Sequence, residues 1–270
     1  MKFLFLLGLL IAPLLHAKDN LWTRPVLVGA SLSACFHHSE FSNLFKAPKS
    51  EALSLDRYLG RAIVAPHGEI KNFGTKLVFL SGDPTLKKNV ERAIEKKPTV
   101  VFAIDYLFWY VYGDPKKRGK GMDELSDEEF LARGLSHLEA FKCPVILGDI
   151  PDGEKSVGLI LSEKEYPGAD AIQKANLQID EWLKRQPQVV RLPLAAFLSQ
   201  AVENQEITIA GEVTPAGKSQ GRFLQQDLLH PTQDGAAAII LKSLEELRKM
   251  NPFPNEEINW KLGELLPPKK

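Results

Sequence analysis

The sequence predicts an α/β protein: a three-layer α/β/α sandwich built on a flavodoxin-like, doubly wound sheet of about five parallel strands. Three observations predict it. Short apolar runs alternate along the chain with helix-length amphipathic runs. Parallel strands joined by helices need right-handed crossovers, which cover both faces of a sheet. About 250 residues follow the N-terminal apolar run, enough for one large domain, and no internal repeat or linker suggests a second.

Taken in order, residues 1–17 read as a secretory signal peptide. Lys2 gives a positive start, Phe3 to Leu15 is almost wholly apolar, and the run closes on Leu15-His16-Ala17. It is short for a membrane span, and no later segment is apolar for long enough to cross a bilayer. The expected product is an exported protein, periplasmic or secreted, with one domain over 18–250. Strands are expected at Val26 to Ala30, Arg61 to Val64, Thr99 to Ile104, Pro144 to Leu147 and Val189 to Leu192.

Helices are expected at Pro84 to Lys96, Ser126 to Phe141, Ala169 to Arg185 and Thr232 to Met250. Ser126 with Glu129 makes a capping box, and Phe130, Leu131, Leu135, Leu138 and Phe141 follow at helical spacing. The last helix carries Ala236, Ile239, Ile240, Leu244 and Leu247 on one stripe. Residues 202–226 read as a long loop or small hairpin. The Pro-rich tail over 251–270 reads as a surface wrap or partly disordered segment.

Composition excludes several classes. Lys plus Arg and Asp plus Glu number 34 each, so no net field favours nucleic acid or an anionic membrane. The basic stretch from Lys116 to Lys120 reads as a solvated crossover. Two cysteines, Cys35 and Cys143, show no zinc spacing, and buried free thiols are as natural there as a disulfide. His37 and His38 have no acidic cluster beside them, and His67 and His137 carry no motif. Neither a metal nor an organic cofactor is expected.

Two stretches carry chemistry. In "VLVGASLSACFHH" the first strand breaks at Gly29 and delivers Ser31, with a second hydroxyl at Ser33. This is either turn punctuation or a nucleophile held at the carboxyl edge of the sheet, where open α/β folds bind ligands. In "DLLHPTQDGAAAI" Asp227 lies three residues before His230, with Pro231 at the mouth of the last helix. A carboxylate so placed can fix the tautomer of the imidazole, leaving it to act as general base towards a hydroxyl from elsewhere. The plain alternative is that Asp227 caps backbone amides.

Together, Gly-x-Ser-Leu after the first strand and Asp-x-x-His-Pro before the last helix resemble the SGNH/GDSL hydrolase family. "KPTVVFAIDYLFW" over 97–109 is similar to the strand and loop carrying the family's Gly-x-Asn-Asp motif. "CPVILGDIPD" and "VVRLPLAAF" resemble the strands that follow. The resemblance implies the SGNH hydrolase fold, with Ser31 as nucleophile, His230 as its base and Asp227 as orienter. Ser33 is the competing serine. The oxyanion hole would comprise the Ser31 amide, the amide of Gly74 (Gly68 is the runner-up), and the residue at position 105. Trp109, Tyr110 and Tyr112 would line an acyl or sugar pocket or pack a loop.

Two positions depart from the pattern. Ala30 replaces the aspartate of Gly-Asp-Ser, and Asp105 stands where the family has the asparagine that donates to the oxyanion. A carboxylate cannot donate, and one lost oxyanion donor costs about 2.7–4 kcal/mol. Asp105 could be protonated by burial and donate, could organise the loop, or could mark a dead site. The resemblance therefore implies an exported serine esterase, lipase or acylhydrolase acting through an acyl-enzyme on a small-molecule, glycan or lipid ester. The alternative is a catalytically weak or inactive binding protein on the same scaffold, perhaps for glycans. A nucleotide-binding flavodoxin-like domain would need a phosphate-cradling glycine loop, which the first strand lacks. Oligomeric state is not encoded in any of these features.

Overall fold

The computed structural model describes residues 20–34, 36, 54–76, 78–119 and 121–268. The expected signal peptide, Cys35, His37 and His38 lie outside the described residues. Four strands of the central sheet are short, mainly apolar runs: β1 (Pro25–Leu27), β3 (Val100–Ala103), β4 (Val145–Gly148) and β5 (Val189–Leu192). The fifth, β2 (Lys71–Asn72), is a polar pair at the sheet edge. All pair in parallel, in the order β2-β1-β3-β4-β5.

Side-chain alternation splits the strands between two cores. Leu27, Val100, Phe102 and Ile146 enter one, and Val26, Val28, Val101, Ala103, Val145 and Leu147 the other. The first core is closed by α1 (Leu55–Ala62), α6 (Leu194–Val202) and α8 (Gln233–Met250). The second is closed by α2 (Val78–Glu95), which kinks at Gly82, by the single turn α3 (Phe108–Val111), by α4 (Asp127–Leu138) and by α5 (Ala169–Leu183). Apolar residues on both faces of every inner strand are what parallel strands require. The result is the expected doubly wound sandwich.

The capping box forms as expected, with the Ser126 amide donating to Glu129 Oε2 at 2.9 Å and the Glu129 amide to Ser126 Oγ at 3.2 Å. Residues 202–226 contain a hairpin, β6 (Ile207–Ile209) against β7 (Glu212–Thr214), then a short helix α7 (Ser219–Phe223). The tail wraps the body. Trp22 Nε1 donates to Glu257 Oε2 at 2.7 Å, the Asn259 amide donates to the Ala62 carbonyl at 2.7 Å, and Leu262 and Leu265 of α9 (Leu262–Leu265) are buried.

One expected strand is absent. Arg61 to Val64 is not in the sheet: Arg61 and Ala62 end α1, and Ile63 makes a lone antiparallel bridge to Ile258. Leu55, Tyr58, Leu59 and Ala62 are all buried, a helical stripe of spacing three, four and seven that captures those residues. The real second strand is too short and too polar to register as an apolar run.

Candidate active site

β1 points its carboxyl end at the switch between strands β1 and β3, the crevice where doubly wound sheets bind ligands. After Val28 the chain turns tightly. The Ala34 amide donates to the Ala30 carbonyl at 3.1 Å and the Phe36 amide to the Ser31 carbonyl at 2.8 Å. Gly29 makes the turn possible: a Cβ there would lie 2.1 Å from Asp105 Oδ1 and 2.3 Å from Ser33 Oγ. The turn lifts Ser31 to the sheet edge and buries Ser33 beneath it, at 0 % exposure.

His230 arrives from the other end of the chain. The segment between α7 and α8 closes on itself through Gln225 N to His230 O at 2.9 Å, Leu228 N to Gln225 O at 3.1 Å, and a bridge between Leu224 and Pro231. Thr232 caps α8, its hydroxyl accepting from the Gly235 amide at 3.1 Å. Within this closed loop Asp227 Oδ1 accepts from the amides of Leu229 (3.1 Å) and His230 (2.9 Å), while Oδ2 takes His230 Nδ1 at 2.9 Å. Capping and ring orientation, posed as alternatives by the sequence, are both performed by one carboxylate.

The far nitrogen of that ring, His230 Nε2, lies 3.0 Å from Ser31 Oγ. A hydroxyl, an imidazole and a carboxylate, drawn from positions 199 residues apart, thus form one hydrogen-bonded line. Burial pushes the Asp227 carboxyl up, but the His230 hydrogen bond and charge and the two backbone amides outweigh it, and its pKa falls below the ordinary 3.8. The Phe36 ring lies 4.3 Å from the imidazole, centroid to centroid, tilted by 35°. Nothing in the sequence pattern distinguished this aromatic from its neighbours.

Asp105, which follows β3, reaches the same turn as an acceptor. Its Oδ2 receives the amides of Leu32 (2.8 Å) and Ser33 (3.3 Å), and its Oδ1 the Ser33 hydroxyl at 2.5 Å. The side chain thus ties the loop together as an acceptor. Burial raises its pKa, and the hydrogen bonds from Ser33, Ala30 and Leu32 offset only part of that rise.

Neither glycine offers a free amide. Gly74 packs against the turn, where a Cβ would come within 2.8 Å of Ser33 Cβ, but its N–H donates to Asn72 Oδ1 at 2.8 Å. Gly68 donates to the Trp22 carbonyl at 2.9 Å and allows the Thr23 carbonyl to approach. The Ser31 amide has no acceptor among the described residues. Asn72, unsuspected from the sequence, ties the turn together by donating to Ser33 O (2.8 Å) and Asp56 Oδ1 (2.7 Å).

Beside Ser31 and His230 opens a small pocket whose lining is mostly apolar. Phe108 lines it and stacks on Tyr112, at 4.0 Å and 10°. Of the aromatics flagged by the sequence, Tyr110 and Tyr112 are buried packing residues, and Trp109 leans on Phe79 at 6.1 Å. Tyr110 donates to Asp83 Oδ1 (2.9 Å) in a polar cluster with Arg133 and His137 that joins α2, α3 and α4. Cys143 is a half-buried free thiol, and burial raises its pKa to about 11.

No protein-family model matches the chain. No curated protein matches it either. Solved structures do. A protein described as a GDSL-like lipase from Parabacteroides merdae is 15% identical over 85% of this chain and 97% of its own, with a TM-score of 0.53. TesA is 14% identical over 84% of this chain and 99% of its own, with a TM-score of 0.44. BT4096, a gut microbial diltiazem-metabolizing enzyme, is 12% identical over 83% of this chain and 46% of its own, at 0.42. At such identities the likeness is one of fold, and the first of these carries it: the chain shares the architecture of SGNH/GDSL hydrolases.

Proposed function

We propose that the protein is a serine ester hydrolase in which Ser31 is the nucleophile, His230 its base and Asp227 the residue that orients the base. The observation that carries this reading is the 3.0 Å contact between Ser31 Oγ and His230 Nε2, with Nδ1 tied to Asp227. A donor Nδ1–H fixed on Asp227 leaves Nε2 unprotonated and able to accept the serine proton. Ser31 Oγ adds to the ester carbonyl carbon as that proton moves to Nε2. The oxyanion that forms is held by the Ser31 amide. The C–O bond to the alcohol then breaks, and the alcohol leaves with the proton from His230. Water, deprotonated by the same ring, cleaves the acyl-enzyme and returns Ser31. This sequence of steps draws on no metal or organic cofactor.

The N-terminal apolar run supports an exported enzyme, acting on small-molecule, glycan or lipid esters outside the cytoplasm. Purified protein should hydrolyse p-nitrophenyl esters, and Ser31→Ala and His230→Ala should each remove that activity. Turnover that survives both changes overturns the reading.

A second reading has its own support. Asp105 occupies the Leu32 and Ser33 amides and Asn72 that of Gly74, which takes three nearby donors away from an oxyanion among the described residues and fits a weak or inactive binding protein. A folded protein that binds ligand but never forms a covalent adduct at Ser31 supports this second reading.

A further inference from the structure

Ser31 and His230 stand on segments from opposite ends of the chain, so something must hold those segments at one separation. The bonds of Asp227 to Leu229 and His230 lie within the loop that carries the imidazole, and fix the ring in its loop. A bond that crosses between the segments comes from Gln225. Its Nε2 donates to the Phe36 carbonyl at 3.0 Å and to the Pro231 carbonyl at 2.8 Å. An amide NH2 has two hydrogens, and here each segment takes one. Phe36 belongs to the Ser31 turn, since its own amide donates to the Ser31 carbonyl at 2.8 Å. Gln225 belongs to the His230 loop: its amide donates to the His230 carbonyl at 2.9 Å, and its carbonyl accepts from Leu228 at 3.1 Å. The Phe36 ring lies against the imidazole itself, centroids 4.3 Å apart and planes tilted by 35°. Side chain meets backbone and ring meets ring, joining positions 189 residues apart. Neither Gln225 nor Phe36 lines the pocket beside Ser31, so their route to the chemistry is through His230.

We propose that Gln225 and Phe36 are positioning residues, a clamp that seats the His230 loop on the Ser31 turn and keeps Nε2 3.0 Å from Oγ; this rests on Ser31 being the nucleophile and His230 its base. Without the Gln225 NH2 the loop keeps its own internal bonds but loses its tie to the turn. The imidazole then samples positions from which it cannot take the serine proton.

The test is Gln225→Met in the full-length protein, a side chain of similar length with no N–H to donate. Hydrolysis of p-nitrophenyl butyrate should show kcat lowered about 10–100-fold, since a reacting group displaced by about 1 Å costs about 10²-fold. KM should stay close to the parent's, because the pocket lining is unchanged. Fluorophosphonate should still label every chain, but more slowly by about the same factor; partial unfolding would lower the end point instead. Gln226→Met, at the exposed neighbour, is the control and should match the parent. Parent-like kcat and labelling rate in Gln225→Met, or an equal loss in Gln226→Met, overturns the clamp and leaves the hydrolase reading intact. Should Gln225→Met not fold, Phe36→Leu takes its place, and Phe36→Tyr, which keeps the ring, should recover most of the loss. Full activity in Phe36→Leu, or no recovery in Phe36→Tyr, overturns the clamp. Should the parent hydrolyse no ester, the hydrolase reading fails and proton NMR reads the clamp without turnover. The His230 Nδ1 proton on Asp227, assigned by its loss in His230→Ala, should give a slowly exchanging downfield resonance in the parent. In whichever clamp variant folds, that resonance should broaden away as the loop lifts off Phe36 and water reaches the proton. A resonance that the variant leaves unchanged, or that the parent lacks, overturns the clamp.

Discussion

Asp105→Asn is the most informative single change. Most of the hydrogen bonding in the loop carries over: the asparagine oxygen can accept from the Leu32 and Ser33 amides, and its NH2 can donate to Ser33 Oγ once that hydroxyl turns, while the bond from the Ala30 amide is not retained by the NH2. What changes is charge. The oxyanion formed on Ser31 would sit at the Ser31 amide, one peptide unit before the Leu32 amide that the carboxylate occupies. Two unit charges about 5 Å apart at an effective dielectric of about 20 repel by about 3 kcal/mol. That is about two powers of ten in rate. The raised pKa of Asp105 gives the effect a pH signature. Well below that pKa both proteins carry a neutral side chain and their kcat/KM values should be similar. As pH rises through it, the variant-to-parent ratio should climb to about a hundred. Steady-state hydrolysis of p-nitrophenyl butyrate, over the whole pH range in which circular dichroism shows both proteins folded, reads the ratio directly. A ratio that stays near one across the range, or falls with pH, refutes the electrostatic argument.

Other outcomes follow from the same geometry. Asp227→Asn, by releasing His230 Nδ1, should lower kcat by about 10³–10⁴-fold, checked by steady-state kinetics against the parent. Ser33→Ala removes the hydroxyl from a buried carboxylate and should cost about 1–3 kcal/mol of stability, read from urea unfolding. It should leave the covalent reactivity of Ser31 in place. Stability should also depend on pH through two carboxyls of opposite sign. Asp227, whose folded pKa is depressed, contributes stability that is present above its ordinary 3.8 and lost as pH falls through the folded value. Asp105, whose folded pKa is raised, contributes stability that is present below 3.8 and lost as pH rises through the folded value. The stability of Asp105→Asn relative to the parent should therefore grow with pH above about 4 and then level off, as thermal unfolding at each pH can show.

Most of the sheet and three side chains of the candidate site were legible because their signals are local. Val100–Ala103 and Val145–Gly148 are aliphatic runs between helical stretches, and Asp227 and His230 are close enough in sequence that one loop holds both. The misread strand at Arg61 to Val64 shows the limit of apolar runs of four residues. There the buried stripe from Leu55 to Ala62 belongs to a helix, while the true edge strand is Lys71-Asn72. The role of Asp105 could not be read either. Whether a carboxylate donates, accepts or turns away depends on which amides surround it, and those amides come from a turn 72 residues earlier. The same holds for Asn72, whose partners Ser33, Asp56 and Gly74 meet only in the folded chain.

The most direct test is covalent. The full-length protein is treated with a fluorophosphonate and digested, and the modified residue is located by tandem mass spectrometry. One adduct on Ser31, abolished when His230 is replaced by alanine, is the predicted result. An unmodified protein, or an adduct on Ser33 in place of Ser31, would contradict it.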